Sequence, residues 1–121
     1  MKKNYDELIK MIDIEYDMYI LLIFATLLNV DANNKLKSRY QNYQNLTKEI
    51  KEEYLFSTYI GLFIFIYFLK RNIKVLENIE INTKEYELSK LRIFGSYLFI
   101  LGQLIVIYYL LNSNSDLDSP L

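Results

Sequence analysis

Neither cysteine nor histidine occurs in this chain of 121 residues. Without cysteine there can be no disulfide, zinc–thiolate site or thiol nucleophile. Without histidine, the commonest general base and the commonest metal ligand are both missing. Proline occurs once and glycine three times, so breakers are scarce and helix is the expected secondary structure. The net charge of −1 supplies no basic field to hold nucleic acid. No phosphate loop, nucleophile elbow or zinc-binding helix can be read from the motifs. No catalytic, cofactor-binding or metal-ligating residue is therefore assigned, and the chain is not expected to be an enzyme.

What remains is an apolar, aromatic chain of single-domain length. Apolar residues make up 52%, with twelve Tyr and seven Phe. Charged residues are 24%, an ordinary share for a soluble protein, but they are segregated. Residues 54–69 and 93–111 carry no charge, while Lys and Glu crowd the segments around them. The second run, Ile93 to Leu111, is 19 residues long and is the clearest candidate to cross a bilayer. The first, Tyr54 to Leu69, would extend about 24 Å. It is slightly short of a hydrocarbon core about 30 Å thick, and Lys70 and Arg71 can snorkel to lengthen it. Both runs are apolar on all faces, which a soluble four-helix bundle of this size could not enclose.

The N-terminal third is less decided. Leu8, Ile9, Ile12, Tyr16, Tyr19 and Ile23 recur at helical spacing, with Asp6, Lys10, Asp13 and Asp17 opposite. The helix runs into Met18–Leu28, or about residues 16–30 if Asp17 and Asn29 are tolerated. We read this as a further transmembrane span, with a lipid-surface or protein-covered helix as the alternative. The segment is too long and too acidic for a signal peptide. Asp13 and Asp17, one turn apart, read as a solvated face, not a cation site.

Asp31, Asn33 and Asn34 predict a break. A separate polar helix is then expected over residues 35–53, with Leu36, Tyr40, Tyr43, Thr47, Ile50 and Tyr54 forming a short coiled-coil-like seam. The next helix pattern continues through Ile73, Leu76 and Glu80. Asn82 and Thr83 interrupt it, and Asn82 with Glu85 has capping-box spacing. Residues 113–121 are polar and acidic, expected to be a disordered tail. The expected fold class is all-α: a small polytopic membrane protein with spans at about 16–30, 54–70 and 93–111 and a helical hairpin turning near residue 82.

Orientation follows from Lys and Arg on the flanks. Lys2, Lys3 and Lys10, together with Lys70, Arg71, Lys74, Lys84, Lys90 and Arg92, put nine on one side. The segment 31–53 supplies five and the tail none. The prediction is an N-terminus inside and a C-terminus outside, in a bacterial cytoplasmic membrane. Lys70, Arg71, Lys90 and Arg92 would anchor the inner interface. Tyr54 with Tyr108 and Tyr109 would mark one interface, and Tyr67 with Tyr97 the other.

Small and polar residues inside the apolar runs carry the functional reading. Ser89, Ser96 and Gln103 are spaced by seven, with Gly95 and Gly102 beside them. The middle run contributes Ser57, Thr58 and Gly61. In lipid, helices associate through close approach at small residues and through side-chain hydrogen bonds. These residues are therefore read as packing-facing or pore-facing. Gln103 needs a partner, either Ser57 or Thr58 or a second copy. A turn at 81–83 would put residue 103 level with about residue 61. The expected function is non-enzymatic: a self-associating subunit or regulator of a membrane complex, with the lipid bilayer and a homo-oligomer or larger membrane protein as partners, and no nucleic acid. A homo-oligomeric pore or lesion former of a lysis, toxin or defence type is the alternative, and a soluble partner-binding bundle the third.

Overall fold

A computed structural model describes residues 5–42 and 47–113. Three helices account for nearly all of them: α1 (Tyr5–Asn42), α2 (Thr47–Glu77) and α3 (Lys84–Asn112). Among the described residues there is no strand. The helices run up, down and up, with α2 in the middle. It packs on both neighbours, whereas α1 and α3 make no close backbone approach to each other.

α1 runs straight through Asp31, Asn33 and Asn34, so the expected break is not there. Two of the three polar residues have a side-chain reason to tolerate the helix. Asp31 pairs with Lys35 one turn on (3.1 Å), and Asn33 accepts a hydrogen bond from the Tyr54 hydroxyl. Such pairs outweigh the few tenths of a kcal/mol by which Asp and Asn disfavour helix. The polar helix expected over residues 35–53 is consequently two pieces, the end of α1 and the first turns of α2. Its proposed seam is shared between them. Leu36 from α1 meets Ile50 and Tyr54 from α2, while Tyr43 lies outside the described residues, as does the tail from residue 114.

The α2–α3 hairpin turns where expected, with different details. α2 stops at Glu77, short of Glu80, through tight bonds from Asn78 N to Val75 O and from Ile79 N to Leu76 O (both 3.1 Å). Asn82 takes a left-handed conformation (φ 70°), which Asn tolerates better than most residues. That moves the cap one residue along: Thr83, extended, accepts from Tyr86 N (3.2 Å). Its hydroxyl also donates to Glu80 O (2.8 Å). The Asn82–Glu85 capping box does not form.

Cross-helix contacts place the three apolar runs side by side. Phe24 meets Phe56 edge-on (6.4 Å), and Ser57 Oγ donates to Ala25 O (3.0 Å). On the other flank, Gln103 lies on Gly61 and Phe65 stacks on Phe99 (4.9 Å). The best-buried cluster, Ala32, Leu36, Ile50, Tyr54 and Leu110, sits at one end, where all three helices contribute. Elsewhere Met18, Ile64 and Ile107 are also buried, but most large apolar side chains face outward. Ile20, Ile23 and Leu27 of α1 are exposed, as are Phe94, Leu98, Leu101 and Ile105 of α3. α2 and α3 are long and apolar enough to cross a membrane. Only 11% of the apolar stretch of α3 is buried, whereas the core helix of a soluble bundle would be mostly covered.

Candidate helix-packing site

The Ser89–Ser96–Gln103 stripe faces α2, and Leu110 extends it by another seven residues. Ser89, Ser96 and Leu110 are buried, and Gln103 is half-buried. A Cβ placed on Gly61 would come within 2.9 Å of Gln103 Oε1 and 3.4 Å of its Cδ. Gly61 is therefore the position that lets α3 close on α2, and residue 103 does lie level with residue 61.

Gln103 does not bond Ser57 or Thr58. Ser57 turns the other way, to Ala25 on α1. Thr58 donates to Tyr54 O in its own helix (2.7 Å), a common way for a hydroxyl to satisfy itself in an apolar segment. The residue that reaches a serine on the stripe is Asn72, which sequence reading passed over. Buried on α2, it donates from Nδ2 to Ser96 Oγ (3.0 Å), and Ser96 Oγ in turn donates to Arg92 O (3.1 Å). The signal that could have found it was its spacing: Asn72 stands eleven residues after Gly61, three helical turns along the same face.

Gly95 and Gly102 are not in this seam. A Cβ on either would meet nothing within 4 Å. They sit beside Ser96 and Gln103 in sequence, but one residue turns a helix by about 100°, and that carries them to the outward face. There they fall in line with Leu88, Leu91, Leu98, Ile105 and Tyr109, all exposed. The spacing alternates three and four from Leu88 to Tyr109, the repeat of a helix–helix seam.

The four cations assigned to the inner interface also divide. Lys70 and Arg92 are exposed, and Lys90 pairs with Glu87 on its own helix (3.3 Å). Arg71 is partly buried: it forms an ion pair with Glu15 of α1, donates to Asn72 Oδ1 (3.1 Å) and lies 4.9 Å from the Phe68 ring centre. Tyr54, expected as an interface ring, is instead almost fully buried. Charge pairs continue outward along α1. Lys74 holds Glu7, and the hydrogen bond and charge of that lysine push the Glu7 carboxyl below its ordinary range. At the other end Glu53 and Asp31 hold Lys35, raising its basicity. No protein-family model, curated protein or solved structure matches the chain.

Proposed function

We propose that the chain is a non-enzymatic integral membrane protein that acts by helix–helix assembly, as a self-associating subunit or a regulator of a larger membrane complex. Its spans are residues 16–30, 54–70 and 93–111, with the N-terminus inside. One observation carries the reading: the outward Leu88–Tyr109 stripe of α3. It is apolar throughout and has a seven-residue repeat, and Gly95 and Gly102 leave open space along it. Lipid alone needs no such repeat. A second helix does, because glycine lets two backbones approach closely where acyl chains give no hydrophobic drive. The pore reading has less support, since Ser57, Thr58 and Ser96 spend their hydroxyls within the chain. The soluble-bundle reading leaves the exposed apolar faces of α1 and α3 unexplained.

The chain has no native cysteine, which makes the test direct. Leu98→Cys should crosslink copies in membranes under mild oxidation, whereas Phe63→Cys, exposed on α2, should not. Gly102→Leu should abolish the Leu98→Cys crosslink without unfolding the protein. Dispersed monomers at every protein-to-lipid ratio, with no larger complex recovered, would remove the proposal.

A further inference from the structure

The net charges at the hairpin-turn end differ by helix. The first turns of α1 carry Asp6, Glu7, Asp13, Glu15 and Asp17 against Lys10, while α2 and α3 bring Lys70, Arg71, Lys74, Lys84, Lys90 and Arg92 against Glu77, Glu85 and Glu87 to the same end. Two pairs cross from α1 to α2, Glu7 with Lys74 and Glu15 with Arg71. They differ in setting. The outer pair is about half exposed, while the Arg71 and Glu15 side chains are 19% and 20% exposed. The pair sits where the apolar runs begin, against the Phe68 ring, and Arg71 Nε is buried with no hydrogen-bond partner among the described residues. Removing Glu15 would leave a guanidinium in a setting where an unpaired charge is costly.

The α1–α2 interface also has apolar contacts, Phe24 and Tyr19 on phenylalanines of α2 and Ala32 and Leu36 against Ile50 and Tyr54, but further polar contacts cross it. Tyr67 donates to Met11 O (3.4 Å), Ser57 to Ala25 O, Tyr54 to Asn33, and Lys35 pairs with Glu53. The α2–α3 interface differs: it holds no ion pair among the described residues, and its contacts include a glycine under a glutamine, stacked rings, Leu110 in the cluster of Ile50 and Tyr54, one amide–hydroxyl bond and Lys51 on the Ser113 carbonyl. α2 and α3 qualify as spans by their own composition, and α1 does not. α1 makes no close backbone approach to α3 and shares with it only the buried cluster at the far end, around Leu36 and Leu110.

We infer that α1 is a conditional span, held across the bilayer by the Glu15–Arg71 pair. When the pair is broken, α1 leaves the hydrocarbon for the membrane surface, while the α2–α3 hairpin stays inserted. The molecule then has two topologies. Latched, Tyr5 lies on the side of the α2–α3 turn. Released, Tyr5 lies on the side of Ser113. The inference rests on the membrane reading above, and its test reports on the two separately.

Single reporters Tyr5→Cys, Ile81→Cys and Ser113→Cys are labelled with a membrane-impermeant maleimide in sealed vesicles. Ile81→Cys and Ser113→Cys should always label from opposite sides; if neither is protected, the hairpin does not span and the membrane reading itself fails. With that control met, Tyr5→Cys should share the side of Ile81→Cys. Arg71→Glu should move it to the side of Ser113→Cys, and the exchange Glu15→Arg with Arg71→Glu should return it. Sides are compared within each background, so inversion of the whole chain cannot imitate release. The inference is overturned if Arg71→Glu leaves Tyr5→Cys in place, if the exchanged pair does not restore it, or if the unaltered latch already puts Tyr5→Cys with Ser113→Cys.

Discussion

Gly61 is where the packing of α3 on α2 can be weighed most directly. Gly61→Ala puts a methyl 2.9 Å from Gln103 Oε1, so the oxygen must retreat by about 0.5 Å to reach ordinary contact at 3.4 Å. The clashing atom is the end of a flexible side chain, and displacing it costs about 0.5–1.5 kcal/mol in rotamer strain. Replacing glycine by alanine within a helix returns about 0.8–1.0 kcal/mol. The two nearly cancel, and Gly61→Ala should lie within about 0.7 kcal/mol of the parent. Gly61→Leu cannot be absorbed by one rotamer. It must part the helices, at about 1–3 kcal/mol for overpacking. Gly95→Leu, facing open space, should be neutral or stabilising by up to about 1 kcal/mol. The assay is reversible denaturant unfolding followed by helical circular dichroism, in micelles dilute enough to hold single chains. Truncating Gln103 to alanine should rescue part of Gly61→Leu, giving a coupling energy above about 0.5 kcal/mol. Equal effects of leucine at positions 61 and 95, or a coupling of zero, would refute the placement of Gln103 on Gly61.

Three further outcomes are expected. Asn72→Leu removes the bond to Ser96 and the acceptor for Arg71, and should destabilise the hairpin by about 1–2 kcal/mol; Asn72→Gln, which can re-form the bonds with a small shift, should cost less in the same unfolding assay. Thr83→Ala removes the α3 cap and should cost about 1 kcal/mol, while Asn82→Ala separately tests the left-handed residue and should also destabilise. For pH, Glu7 is lowered by Lys74 and Lys35 is raised by Glu53 and Asp31. The Glu7 contribution is therefore present above its ordinary value of 4.5 and is lost as pH falls through its lower folded value. That of Lys35 is present below 10.5 and is lost as pH rises through its higher folded value. Docking of α1, read by fluorescence quenching between labels on α1 and α2, should peak between those limits and weaken beyond both; a flat profile would refute the paired geometry.

The hairpin was legible in the sequence because two charge-free runs and an Asn–Thr interruption are local signals. Counting back from that turn also puts residue 103 opposite residue 61. Features set by tertiary partners were less legible. Asp31 and Asn33 look like helix breakers until Lys35 and Tyr54 are placed beside them. The Leu36–Tyr54 seam looks continuous because a spacing pattern takes no account of a chain reversal within it. Gly95 and Gly102 were grouped with Ser96 and Gln103 by their common spacing, although a single-residue offset turns them by about 100°, out of the seam. The Glu15–Arg71 pair joins residues 56 positions apart, and no pattern along the chain announces it.

The central place of α2 also bears on biogenesis. Translation starts at the N-terminus, so α1 is made before the helix that supplies its counter-charges. On the proposed membrane reading, a nascent chain ending at Asn42 does not yet hold Arg71, the partner of Glu15. Commitment of the first helix to the bilayer is then deferred until the second has emerged.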